Sequence, residues 1–99
     1  MKLPKKIKVG DTWYEVNLVK TLDEPGAMGS TSFRNSTINV ATHSNTRDVK
    51  YRKEDVQETF WHEVTHAILS DMNSRLTRNE KFVTAFSHRL SNAINSVKF

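Results

Sequence analysis

The chain has 99 residues, 36% of them hydrophobic and 26% charged, with no cysteine and a formal net charge of +4. That size and balance fit one folded domain with a modest core. They exclude a disulfide framework or thiolate metal site, so any metal must be held by nitrogen and oxygen ligands. No apolar run of signal-peptide or membrane-spanning length follows the basic start Met1-Lys2-Leu3-Pro4-Lys5-Lys6, so the expectation is a cytoplasmic monomer with no membrane partner.

Ile7 and Val9 alternate with Lys6 and Lys8, and after the turn signal Gly10-Asp11 the residues Tyr14, Val16 and Leu18 alternate with Trp13, Glu15 and Asn17. This predicts a β-hairpin with one buried face. Lys2, Lys5, Lys6 and Lys8 read as a solvated face guarding the edge of the first strand. Nucleic-acid contact is the less favoured alternative, because no aromatic residue interleaves with those lysines as base stacking would require. Residues 21–32, with Asp23, Pro25, Gly26 and Gly29, have the composition of a turn-rich loop. Residues 33–41 contain Ile38 and Val40 on one face and predict a third strand, and residues 42–48 connect it to a helix.

From about residue 52 to 72 the period changes. Val56, Phe60, Val64, Ala67, Ile68 and Met72 recur at spacings of three and four, with Trp61 widening the stripe, which predicts an amphipathic helix. After a break over 73–78, Phe82, Val83, Phe86, Leu90, Ala93, Ile94 and Val97 predict a second helix. Strands first and helices second argue for one α+β domain over 1–99: a small antiparallel sheet of about three strands in 1–48, then two helices in 49–99.

His62 and His66 lie one turn apart on the first predicted helix, away from the centre of its apolar stripe, so both rings can reach one ion. Glu63 follows His62 directly. The string His62-Glu63-Val64-Thr65-His66 is the His-Glu-x-x-His arrangement, in which two imidazoles bind zinc and the glutamate acts as general base beside the metal-bound water. It resembles the zincin metallopeptidases, which implies a Zn2+ cofactor, a peptide or protein substrate and hydrolysis of peptide bonds. A catalytic zinc takes a third protein ligand. The metzincin pattern would place a glycine and a ligand where this chain has Leu69 and Met72, with Asp71 one residue out of register, so that subclass does not fit. The gluzincin pattern draws a glutamate from the next helix, and Glu80 is the only glutamate after Glu63. Glu80 has a second reading, because Thr77-Arg78-Asn79-Glu80 has capping-box spacing.

With Asn79-Glu80-Lys81-Phe82-Val83 downstream, residues 54–90 resemble the compact gluzincin-like metallopeptidases of phages and prophages, related in pattern to the repressor-cleaving ImmA-type proteases. The resemblance implies action in the host cytoplasm. It also implies that an edge strand above the active-site helix pairs with the substrate, for which residues 33–41 are the candidate, with Asn39 and Ala41 supplying main-chain groups. His43 and Tyr51 are candidates for a donor to the developing oxyanion, although a surface histidine and a helix-packing tyrosine are the plainer readings. Thr59, Ser70 and Asp71 are candidate partners for the second ring nitrogens of the histidines. His88 is read as solvated, and Trp13 and Trp61 as core or cleft-wall aromatics. The competing functions are a zinc hydrolase of another amide, and a non-catalytic zinc-binding module contacting nucleic acid or a protein partner.

Overall fold

In the computed structural model, which describes residues 2–98, the predicted hairpin forms β1 (Lys6–Val9) and β2 (Thr12–Val19), paired antiparallel with Ile7 opposite Tyr14. Gly10 opens the two-residue turn between them with φ +59, a left-handed value that glycine adopts without strain. The remaining strands are β3 (Gly29–Ser32) and β4 (Thr37–Ala41), and the sheet order is β1-β2-β4-β3.

The α+β order stands, but the sheet differs from the expected antiparallel three strands. It has four strands, and β4 lies parallel to β2, with Val16 opposite Ile38 and Leu18 opposite Val40. The strand expected at 33–41 splits into a turn over 33–36, where Ser36 has φ +52, and β4 itself. β3 falls inside the stretch expected to be loop. Its sequence Gly-Ser-Thr-Ser carries no large apolar side chain, so it has no burial alternation to read, and it takes an edge position. Ile38 and Val40, both fully buried, put β4 in the sheet interior, where burial stabilises most.

Helix α1 (Lys53–Asp71) lays the centre of its apolar stripe under the sheet, so that Phe60, Val64 and Ala67 close one core with Val9, Tyr14, Val16, Ile38 and Val40, while Ile68 and Met72, expected in that stripe, are exposed. Asn73, with φ +55, ends the helix in the left-handed conformation common just past a helix terminus. A 3-10 turn (Arg75–Arg78) then leads into α2 (Glu80–Ser96). Contacts pairing Glu58 with His88 and Gln57 with Asn95 show that α2 runs antiparallel to α1.

Helix α2 buries only part of the face that periodicity predicts: Val83 is buried and Leu90 and Ile94 are half-buried, with the contact turned toward the serines beside them. Val83, Ser87 and Ser91, spaced by four, are its buried residues, and the two serines leave room for close helix approach. Phe86 is 46% and Val97 52% exposed. His88 is solvated as expected, its side chain 54% exposed, and it also holds Glu58 at 2.8 Å across the two helices. Trp61 packs against the core as expected, whereas Trp13 is exposed on the outer sheet face, with the Lys6 and Lys8 ammonium groups 4.7 and 5.9 Å from its ring. The expected separation of aromatic and lysine residues therefore fails in space, because Trp13 sits opposite Lys8 across the hairpin. Among the described residues no helix is long and apolar enough to cross a membrane.

Candidate metal centre

One turn of α1 separates His62 from His66, and their rings sit edge to face with centroids 5.0 Å apart. The antiparallel return through the 3-10 turn brings Glu80, the first residue of α2, over them. Its two carboxylate oxygens lie 3.1 Å from His62 Nε2 and 2.8 Å from His66 Nε2. The capping-box alternative is not realised. Asn79 caps α2 by accepting the Phe82 N–H at 3.0 Å, which leaves the Glu80 side chain free to turn to the histidines. One ligand atom from each of His62, His66 and Glu80 lies within 4.8 Å of the other two, so this group could hold a metal ion.

The hydrogen bonding around His66 bears on that fit. Thr77 Oγ1 lies 3.4 Å from the His66 carbonyl, to which it donates, and 3.1 Å from His66 Nδ1. With its proton used on the carbonyl, the hydroxyl accepts from Nδ1–H, and a neutral ring then has its lone pair on Nε2. That lone pair faces a Glu80 oxygen at 2.8 Å. Two acceptors at this distance need a cation between them, either a proton or a metal ion. Ligand atoms of a tetrahedral zinc stand about 3.3 Å apart for bonds of about 2.0–2.1 Å. Glu80, 65% exposed, has the freedom to adjust, while the histidines, at 22% and 15%, are held more closely. Two imidazoles and a carboxylate form a donor set suited to divalent transition metals, zinc among them.

Glu63, on the same helix, lies beside the three candidate ligands against β3 and is 8% exposed. The Thr31 hydroxyl donates to its Oε1 at 2.7 Å. Burial pushes the Glu63 carboxyl above the usual carboxylate range. The Thr31 hydrogen bond and the two imidazoles pull the other way, and the Glu80 charge raises it. Gly29, two residues before Thr31, passes so close that a Cβ there would stand 2.7 Å from Thr59 Cγ2 and 3.0 Å from both Glu63 Cγ and Oε2. Only a glycine lets β3 approach Glu63 this closely.

Several expected site residues lie elsewhere. β4 is paired on both sides, so Asn39 and Ala41 cannot offer main-chain groups to a substrate. The Ala41 N–H donates to the Met28 carbonyl at 2.8 Å, and the Asn39 side chain is tied to Asn17 at 3.2 Å. His43 and Tyr51 belong to the loop after β4, where His43 pairs with Thr42 Oγ1 at 2.7 Å and the Tyr51 N–H donates to the Thr42 carbonyl. Neither lines the clefts beside Glu63. Asp71 sits against Gly10 at the far end of α1, where, after burial, its charge helps hold the Tyr14 phenol above its ordinary value. Thr59 and Ser70 line the clefts, but the partner of His66 is Thr77.

Gly29, Thr31 and Thr77 were not read from the sequence. Thr31 and Gly29 lie in a strand without apolar alternation, and the only signal at Thr77 was its capping-box spacing to Glu80. No protein-family model matches the chain, and neither a curated protein nor a solved structure matches it.

Proposed function

We propose that the chain is a zinc-dependent peptidase of the minimal gluzincin type, acting in the cytoplasm, with His62, His66 and Glu80 as ligands and Glu63 as general base. The observation that carries this reading is the convergence of two imidazoles and the Glu80 carboxylate, with a second, buried carboxylate, Glu63, beside them outside that cluster. A site built only to stabilise the fold has no use for Glu63 there.

Bound zinc supplies Lewis acidity, ionising water near neutral pH and polarising a carbonyl. Glu63 takes the proton of the attacking water and hands it to the leaving amine, so it must be ionised at the start and accept a proton readily. Partial desolvation favours the second requirement, and the Thr31 hydroxyl fixes which oxygen remains for water. Thr77 orients His66, holding its proton on Nδ1.

The substrate strand belongs to β3 rather than β4. The bond from Ala41 N–H to the Met28 carbonyl makes those two a hydrogen-bonded pair in the β3–β4 register. Such pairs alternate along an antiparallel ladder. Ser30 and Ser32 therefore face β4 with their main-chain groups, and Gly29 and Thr31 direct theirs to the open edge, where an extended peptide can add as a further strand.

The test is Glu63→Gln. It should keep zinc near one per chain and abolish cleavage of a broad peptide library. Turnover equal to wild type would remove Glu63 from the mechanism. A zinc hydrolase of another amide would use the same residues and is separated by substrate alone.

A second reading, a non-catalytic module contacting nucleic acid, draws on the exposed Trp13 between Lys6 and Lys8. It would require single-stranded oligonucleotide binding that is lost in Trp13→Ala.

A further inference from the structure

Glu63 divides the groove along the open edge of β3 into two halves of opposite character. The half reached past His62 is a cleft of about 420 Å³ whose charged walls are Asp55, Glu58 and Glu63 itself, with Met28 and Gly29 on the β3 side. Among the described residues no lysine or arginine lines it. Asp55 is paired with Arg52 at 3.1 Å, but that arginine is 77% exposed, and such surface pairs hold weakly. Among the described residues Glu58 is in an ion pair only with His88.

The half reached past His66 is a cleft of about 500 Å³ with Arg78 as its cation, Thr31, Ser70 and Thr77 as polar walls, and Phe33, 48% exposed, as an apolar one. Apart from the shared Glu63, no carboxylate among the described residues lines it. Arg75 stands with Arg78 in the adjoining cleft over the 3-10 turn, and among the described residues neither is in an ion pair.

We infer that this groove selects peptides of a defined charge order: acidic or apolar residues before the cleaved bond and basic residues after it. The inference rests on the peptidase reading and deepens it. Its direction follows from β3, which runs from Gly29 in the acidic half to Ser32 beside the basic half. A strand added to this edge pairs more stably antiparallel. The peptide then enters with its N-terminal side against Phe33 and Arg78 and leaves with its C-terminal side against Asp55 and Glu58. Electrostatic complementarity at these exposed walls sets specificity more than total affinity, and it weakens with salt.

The experiment uses the full chain carrying Glu63→Gln, so that binding is read without cleavage. Two fluorophore-labelled hexapeptides of identical composition are titrated by anisotropy, with and without one equivalent of zinc. One carries Asp-Leu before the central bond and Lys-Lys after it, and the other has the charged positions exchanged. The first should bind about tenfold tighter at low ionic strength, and about 0.5 M salt should erase most of the difference.

Adding Arg78→Glu should bring the two affinities together at an unchanged melting temperature, because Arg78 is exposed. Equal affinities in the Glu63→Gln protein, or a preference for the exchanged peptide, would overturn the inference. Wild-type protein on a hexapeptide library separates the two levels. Cleavage without charge preference contradicts the charge order alone, and the absence of any cleavage or binding contradicts the peptidase reading beneath it.

Discussion

Replacing Gly29 by Ala adds one methyl group where the structure has no space for it. The new Cβ would stand 2.7 Å from Thr59 Cγ2 and 3.0 Å from Glu63 Cγ and Oε2. Carbon atoms rest about 3.5–4.0 Å apart, so β3 and α1 must separate locally by roughly an ångström. Overpacking of this kind costs about 1–3 kcal/mol. In a domain of this size each kcal/mol lowers the melting temperature by about 4–8 °C, so thermal unfolding should fall by roughly 5–20 °C. Glu63, on the α1 side of that contact, loses its seating against β3, and misplacing the proposed base by about an ångström lowers turnover by roughly a hundredfold.

Melting followed by circular dichroism, with zinc stoichiometry and cleavage of the best library peptide, measures both effects. Zinc should still bind, since the atoms nearest the added methyl belong to Thr59 and Glu63 rather than to the three candidate ligands. Adding Thr59→Ser removes the nearest clashing atom and should restore most of the lost melting temperature. It should restore less of the activity, because the contacts with Glu63 remain. A Gly29→Ala protein that melts and turns over like wild type would refute the close approach of β3 to the base.

Two further substitutions follow from the same site. Burial raises the Glu63 carboxyl above its ordinary value, so in metal-free protein the folded state loses stability as pH rises from the unfolded value near 4.5 through the folded one, where the unfolded chain ionises more readily. Metal-free Glu63→Gln should therefore melt higher than wild type at pH 7, with the gap closing toward pH 4. An equal gap at both values would contradict the burial argument. Thr77→Val keeps the shape of the side chain and removes the acceptor of His66 Nδ1–H, so zinc affinity should fall about 10–100-fold by competition titration with the fold intact. Unchanged affinity would remove Thr77 from the ligand's support.

The parts of this protein that the sequence made legible are those whose pattern repeats on the scale of one element. The α1 stripe on Phe60, Val64 and Ala67 and the histidine pair opposite it share the helical period, and both the helix and the direction of the rings follow from it. The Ile38–Val40 alternation marked β4 for the same reason. β3 was hidden because Gly29–Ser32 contributes backbone and hydroxyl groups rather than apolar side chains. Its insertion beside β4, which makes β4 parallel to β2, depends on where a 20–28 connection leads, and no local period encodes that. The buried face of α2 misled in the opposite sense. Val83, Ser87 and Ser91 make the contact because small side chains let two helices approach, while Phe86 and Val97, the stronger apolar signals, face outward. Thr31 and Thr77, the hydroxyl partners of Glu63 and His66, act through hydrogen bonds across 32 and 11 residues. Such pairings are tertiary facts, and neither residue carries a periodic signature.

Zinc K-edge absorption spectroscopy on protein loaded with one equivalent of zinc tests the metal centre most directly. The account predicts a first shell of two imidazole nitrogens at about 2.0–2.1 Å with oxygen from a carboxylate and solvent, and loss of the carboxylate contribution in Glu80→Ala. A spectrum without two imidazole scatterers, or zinc that dialyses away from the wild-type chain as readily as from His66→Ala, would contradict it.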